Sequence, residues 1–600
     1  MGSKRDIGTA TGREVEAPVA WRRVVGARRP VPDVLIDYLL NEEVDTVFGI
    51  PGGAIIPVLA AIERAPGMRF VLAKHEGGAA FMADCYARVG GKTGVCLATT
   101  GPGATNLLTG VAAAYVDSVP LLVLTGMNPV PTWGMGDFQE SSVYGVDTVG
   151  LFRHVTKQSD VVVSEKVMQP LLRRAFAVAN SGRPGPVHLA IPRDVLARSV
   201  CPDLWPPQTY RCVPPAAGAD EVSRVAHALR HADRPFMLIG SGTSCDATKA
   251  LAAISNELAV PMIATPRAKG LFSDCSARYY LGTMGIAASA RVDHFLATSG
   301  CDLVLSIGAG FGSYATNSWD PGLRQGRMIQ VNIDAEAIGR VYPVDLGIVS
   351  DAGVFVHALK RALMTHPAPG TGVADRGERT QWLVPYLAIP AWCWPRDEAS
   401  CANRPLSPIE IIRSVDRAVP EGGIIMVDSG SMLLWATHYL PEIRSRRFIG
   451  VWGSASMGHV TAGAIGARFA APERAVLALV GDGCFLMNGM EIATAAEWRL
   501  PIVWVVNANA QLGMIHYEQR ASGLTASSEF ARCDLVKVAI GLGAHALVCR
   551  DAIELTGAIC EGFTRTGPTV IQVDVDPTPT PPMGQKKAGG ARWQEYIDSI

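Results

Sequence analysis

The sequence predicts an α/β protein made of three doubly wound parallel-sheet domains, and three observations carry that prediction. Short apolar runs that read as buried parallel strands alternate with helix-like stretches along most of the 600 residues, the pattern of repeated βαβ units. Two Pro-rich stretches, 201–218 and 367–404, divide that alternation into three. The apolar runs also end repeatedly in glycine clusters, at the edge where parallel sheets meet their ligands. Domains are therefore expected over 31–200, 220–365 and 405–577, joined by linkers at 201–219 and 366–404. A disordered basic tail is expected over 1–30 and a second tail over 578–600.

Composition narrows the function classes. Hydrophobic residues make up 48% of the chain, enough for a large core, and the net charge of −1 argues against a polyanionic partner such as nucleic acid. No apolar run reaches the ~18 residues that a membrane span needs. The 13 cysteines are scattered without CxxC or Cys/His ligand spacing, which reads as small core residues in a reducing compartment. The Arg-rich start has no apolar segment of the kind a secretory signal carries. The expected protein is cytoplasmic, with neither membrane nor nucleic acid among its partners.

In the first unit, 44–50 reads as a strand delivering Pro51, Gly52 and Gly53, and a helix follows. The short strand 71–73 ends at His75-Glu76, with a helix over 77–88. A carboxylate directly after a buried strand lies at a sheet edge where a cofactor can lie; it is equally what a helix N-terminus favours for its dipole. The strand 94–100 opens into Gly101-Pro102-Gly103 and Asn106, a turn that either simply reverses the chain or lets backbone approach a ligand. The loop 134–145, with Phe138 and Gln139, is longer than a plain connection requires. Gln139 reads as a substrate-side hydrogen-bond donor or as a solvated loop residue.

The second unit carries Gly240-Ser241-Gly242 and Gly308-Ala309-Gly310 after apolar runs, and neither completes GxGxxG with its acidic partner. It reads as a degenerate Rossmann-like domain. The third unit starts at Ser407-Pro408, an N-cap with proline at the first helical position. Its first strand delivers Asp428 to Ser431, and a small-residue helix is expected over 454–469, with Met457 inside it. Met457 on that helix reads as core packing unless a ligand claims it.

The most informative stretch is the apolar run 475–480 ending in Gly481-Asp482-Gly483, followed by the apolar run 501–506 ending in Asn507-Ala508-Asn509. Neighbouring parallel strands end at one edge, which sets a carboxylate beside a carboxamide. Such hard oxygens suit Mg²⁺ completed by substrate phosphates, although Gly-Asp-Gly alone is also an ordinary turn.

The spacing of Asp482 and Asn509 resembles the thiamine diphosphate motif. The strings Phe48 to Ala54, His75 to Ala80, Gly101 to Asn106, Phe138 to Glu140, Ser456 to Gly458 and Leu512 to Met514 are similar to the acetolactate synthase group of that family. The resemblance implies thiamine diphosphate and Mg²⁺ as cofactors, with Asp482, Asn509 and the Gln511 backbone carbonyl as metal ligands. It implies Glu76 and Gln139 as catalytic residues. Gly53, Phe138 and Gln139 would meet substrate. Pro51, Gly52, Gly53, Glu76, Gly101, Asn106, Ser431, Met457, Gly481, Gly483, Gly513 and Met514, with the three metal ligands, would contact the cofactor, Met457 bending it into a V. The three domains then become pyrimidine-binding, central and pyrophosphate-binding.

The implied reaction is decarboxylation of a 2-oxo acid, pyruvate first among candidates, and carboligation of the resulting enamine to a second carbonyl. In the family Glu76 and the metal site come from different subunits, so a homo-oligomer, at least a dimer, is implied. Departures bear on the acceptor: Glu518 stands where the biosynthetic enzymes carry Trp, and Ser431-Met432 stands for a Gln-His pair. Cys85 replaces a usual Gly, and Ala508 the first residue of a usual Asn pair. An aldehyde, a sugar ketone or sulfoacetaldehyde is the alternative acceptor; a non-catalytic paralogue serving as a partner subunit is the third reading. The flavin region of the biosynthetic enzymes corresponds to 308–314, where Gly310 and Gly312 replace an Arg and an acidic residue. No tightly bound FAD is expected.

Overall fold

A computed structural model describes residues 24–273, 277–365, 375–390, 405–442, 446–524 and 527–583. It contains three six-stranded, all-parallel sheets, one in each expected domain. In the first sheet the order is Arg69–Leu72, Thr46–Gly49, Gly94–Ala98, Leu121–Met127, Val187–Pro192 and Gln158–Val161. The third sheet repeats that order with Arg447–Gly450, Ile424–Val427, Val476–Gly481, Ile502–Ala508, Thr569–Asp574 and His545–Cys549. The central sheet instead runs 3-2-1-4-5-6 in its own strand numbering, the Rossmann order. In the two outer sheets the order reverses beside the first strand, between Thr46–Gly49 and Gly94–Ala98 and between Ile424–Val427 and Val476–Gly481. Ligands bind outside the carboxyl ends of strands at such switch points.

The outer domains meet through the helix Glu76–Gly90 and the helix His459–Ala470. Small residues permit the approach: a Cβ on Gly466 would run into the Met82 backbone, and one on Gly463 into Cys85 Sγ. An ion network around buried Asp84 pins the crossing. Asp84 accepts from Arg88 Nε at 2.6 Å and lies 2.7 Å from His459 Nε2, and Arg88 also reaches Asp117 at 2.7 Å. Arg88 and His459 hold the Asp84 carboxyl well below the usual carboxylate range against the burial that opposes ionisation. Cys85, the departure from glycine, fills the notch opposite Gly463. The central domain is fastened to the third by buried Glu442, which accepts from Thr283 Oγ1 at 2.7 Å, Tyr280 Oη at 2.9 Å and the Gly270 N–H at 2.7 Å.

Several elements differ from expectation. The Gly-Asp-Gly stretch is not a free turn; Gly481 closes the strand and Asp482 opens the helix Asp482–Asn488. The small-residue helix begins only at His459, because Gly458 sits at φ +78° and breaks the run before it; Met457 therefore lies in the turn that precedes the helix. The 366–404 stretch, expected as linker, carries the helix Arg376–Ala388. Trp382 and Tyr386 pack on Phe295, and Arg379 donates to carbonyls of Leu258 and Leu229. Within the tail expected over 1–30, the described residues form strands: Val24–Val25 pairs with Asp203–Leu204, and Arg29–Pro30 with Ser199–Val200. Residues 1–23 and 584–600 of the two expected tails lie outside the described residues. Among the described residues no helix is long and apolar enough to cross a membrane.

Candidate active site

The sequence-predicted residues fall into two clusters, each at the carboxyl edge of one outer sheet. The third-domain cluster forms where Val476–Gly481 and Ile502–Ala508 pair in parallel, Gly481 opposite Asn507. Both strands are buried on both faces, so their ends are fixed, and the chain emerges as Asp482 and Asn509. Asp482 is 5% exposed. One carboxylate oxygen accepts from the Asn509 and Ala510 N–H groups at 2.9 and 2.6 Å; the other accepts from Gly483 N–H at 2.9 Å. Asn509 Oδ1 in turn accepts from Gln511 N–H at 3.2 Å. Burial raises the Asp482 carboxyl above its usual range in spite of these three amides.

Around this cluster the backbone is bare. A Cβ on Gly481 or Gly430 would meet nothing within 4 Å, and Gly430 adopts φ +134°, which only glycine takes up easily. Gly483 sits between Leu512 and the tip of Met457, its absent Cβ 2.9 and 3.1 Å from them. Gly513 lies against Ser431 Oγ. All of these, with Gln511 and Met514, line one cavity of about 1160 Å³. Its far end reaches the central domain at Ser241-Gly242, Gly308 to Gly312 and Asn332 to Asp334. An oxygen donor set at a helix N-terminus, walled by glycines, fits a pyrophosphate bridged by a hard divalent cation.

The first-domain cluster is built around Glu76, 9% exposed at the start of the helix Glu76–Gly90. Asn106 Nδ2 donates to Glu76 Oε2 at 2.9 Å. Gly103 leaves room beside the other oxygen, since a Cβ there would stand 3.4 Å from Oε1. Gly52 packs directly on Thr99, while Gly53 and Pro51 face outward. Gly101, at φ +59°, lies beneath Gln139, whose Oε1 accepts from Thr100 Oγ1 at 3.2 Å. Gln139 itself sits at φ +55°, a conformation a non-glycine residue holds only under constraint. Its loop is anchored by Ser141, which accepts from Gly101 N–H at 2.8 Å, and by Asn128 beneath Phe138. Phe138 stands 82% exposed.

The two clusters do not merge within one chain. Glu76, Asn106, Gly101 and Gln139 are not among the described residues lining the cavity that holds Asp482, Asn509 and Met457. Apolar side chains stand uncovered beside both: Met135 and Phe138 in the first domain, Met487 and Met490 in the third.

Sequence reasoning passed over three features. Asp428 follows the strand Ile424–Val427 at the switch point, and its buried carboxylate accepts from Thr461 N–H and Oγ1 at 3.0 and 3.1 Å. Trp452 and Tyr314, from two different domains, meet in the cavity wall with ring centroids 6.4 Å apart. Glu491 reaches from the third domain to the strand end before Glu76. The one local sign of Asp428 was its place after an apolar run; for the other two nothing local exists.

Comparison with known proteins agrees with this division. The family described as "Thiamine pyrophosphate enzyme, N-terminal TPP binding domain" matches residues 29–148. The corresponding central domain matches 222–359, and the C-terminal TPP binding domain matches 428–573. The chain is 30% identical over 583 residues to a probable acetolactate synthase large subunit of Methanococcus aeolicus, covering 95% of each chain. It is 32% identical over 553 residues to the acetolactate synthase large subunit of Corynebacterium glutamicum, covering 90% of this chain and 85% of that one. Acetolactate synthase isozyme 1 large subunit of Escherichia coli is 30% identical over 549 residues, with 91% and 93% covered.

Proposed function

This chain belongs to the thiamine pyrophosphate enzymes, as a thiamine diphosphate-dependent carboligase of the acetolactate synthase-like group, and from that premise we propose that it decarboxylates a 2-oxo acid, pyruvate first, and joins the remainder to a second carbonyl compound. The observation that supports this most is the oxygen cluster of Asp482 and Asn509 in a glycine-walled cavity. Asp482, Asn509 and the Gln511 carbonyl would hold Mg²⁺ on the cofactor pyrophosphate. Gly481, Gly483, Ser431, Gly513 and Met514 would leave or shape the space around it, and Met457, held in its turn by Gly458, would press on the cofactor from one side.

Thiamine diphosphate, when bound, supplies a thiazolium that accepts the electron pair left as carbon dioxide departs. Glu76 would hold a proton between its carboxylate and the cofactor's N1′, the step by which a positioned acid speeds proton movement. Asn106 orients that carboxylate by donating to Oε2. Gln139, constrained at positive φ, would present its amide to substrate, with Gly53 and Phe138 beside it. Two clusters on one chain that do not share a cavity are brought together by a second copy, whose uncovered apolar side chains at Phe138 and Met487 would be buried in the contact. The proposed active unit is a homodimer or a larger homo-oligomer.

A second reading concerns the acceptor. Tyr517 and Glu518 line the same cavity on the helix Gly513–Ala521. A carboxylate there repels an anionic 2-oxo acid and favours a neutral carbonyl such as an aldehyde. Flavin is the remaining question. The central arm of the cavity has room, yet Gly310 and Gly312 offer bare backbone at its wall. Among the described residues three guanidinium groups line the cavity: Arg183 is engaged with Ser118 and Val116 O, Arg267 with Asp117, and exposed Arg340 only with Gly310 O at 3.4 Å. We propose no tightly bound FAD.

One preparation tests these points. Purified protein with thiamine diphosphate, Mg²⁺ and pyruvate is expected to release carbon dioxide and give acetolactate by mass spectrometry. Carbon dioxide with acetolactate only after an aldehyde is withheld would leave the first reading intact; product formed only when an aldehyde is added would favour the second. The same protein is expected to be colourless. A yellow protein releasing stoichiometric flavin on denaturation would contradict the flavin expectation.

A further inference from the structure

The structure assigns Glu491 as a positioning residue for Glu76, acting through the backbone that leads into it. This inference rests on the reading of Glu76 given above and adds to it the group that fixes its place. Glu491 closes the short 3-10 turn Gly489–Glu491, directly after the helix that Asp482 opens. Its side chain crosses to the first domain and is 1% exposed. The Lys74 N–H donates to both carboxylate oxygens, at 3.0 and 3.1 Å, and the His75 N–H donates to Oε1 at 3.0 Å. These are the two amides immediately before Glu76.

The surroundings are fitted to that contact. The strand Arg69–Leu72 has ended and the helix has not begun, so neither amide has a partner from sheet or helix. Gly78 is bare where the carboxylate lies, and a Cβ there would collide with Glu491 Oε1. The Thr494 hydroxyl sits 2.9 Å from Glu491 Oε2 and 3.1 Å from Leu72 O, bracketing the same strand end. His75 then caps the helix, its Nδ1 accepting from Gly77 N–H at 3.0 Å. Lys74 adds an ion pair with Glu497 at 2.8 Å on the outer side. A single carboxylate thus sets the angle at which the chain enters the glutamate helix. It hangs from the same ten-residue segment as Asp482, so the segment that carries the metal ligand also fixes the entry to Glu76.

The test is Glu491→Gln. The amide keeps the volume but presents an NH₂ to one of the two backbone donors, so one contact is lost and the turn shifts. Misplacement of a reacting group by about 1 Å costs on the order of 10²-fold. We expect Glu491→Gln to bind thiamine diphosphate with unchanged affinity in calorimetry. Exchange of the thiazolium C2 proton, read by NMR per bound cofactor so that partial unfolding does not move it, is expected to slow by about 10²-fold. In cofactor-free protein, amide hydrogen exchange of the 72–80 segment should rise while the rest of the first domain stays protected. Thr494→Val, which keeps the carboxylate and removes its bracket, is the second variant, with slower C2 exchange expected in the same direction. Wild-type C2 exchange in both folded variants, with Glu76→Gln slow, would overturn this inference alone. Wild-type exchange in Glu76→Gln would instead overturn the reading beneath it.

Discussion

Asp482→Ala should lose thiamine diphosphate. The carboxylate is buried and held in place by three backbone amides. Its removal strips the proposed cation of its one anionic protein ligand and leaves the Asn509 and Ala510 amides without their acceptor. Changing a group that merely supports a ligand typically costs 10–100-fold in metal affinity, so loss of the ligand itself is expected to weaken cofactor binding by at least about 10²-fold. Calorimetry in the presence of Mg²⁺ reads this directly. Cofactor affinity equal to that of the wild type would remove Asp482 from the metal site.

Glu76→Gln should retain the cofactor and the fold while losing most turnover. Gln fills the same space and can still meet Asn106, because its carboxamide oxygen accepts from Nδ2 as the carboxylate does. It cannot hold or pass the proton. Proton transfer by a positioned side chain is worth typically 10²–10⁴-fold, and kcat is expected to fall by about that factor with little change in cofactor affinity. A kcat within twofold of wild type would show that Glu76 is not the proton carrier.

The parts of this site that the sequence made legible are those governed by local rules. A buried parallel strand announces itself as a short apolar run, and the residue after it is placed by the sheet; Asp482 and Asn509 stand directly at such ends, and Glu76 follows one after a short turn. The similar motif strings then assigned their roles. What escaped was either non-local or masked by composition. Glu491 meets Lys74 and His75 from more than four hundred residues away, and no spacing rule reaches that far. Trp452 meets Tyr314 only because two domains pack together. The strand Gln158–Val161 is an edge strand of polar sequence, without the apolar run that marks its neighbours. The helix Arg376–Ala388 hid in a Pro/Trp-rich stretch because Pro385 lies inside it, and its stability comes from Trp382 and Tyr386 on Phe295 rather than from its own propensity. Met457 lies outside the helix rather than in it, since a run of small residues does not say where Gly458 will interrupt it.

The central claim is that one chain supplies Glu76 and another supplies Asp482 to each active site. Co-expression of Glu76→Gln and Asp482→Ala, each nearly inactive alone, tests it. Random pairing makes half the dimers mixed, and each mixed dimer carries one site with both residues intact, so about a quarter of wild-type activity is expected to return. Activity no greater than the sum of the two separate variants, in a preparation shown by native mass spectrometry to contain mixed dimers, would contradict the claim.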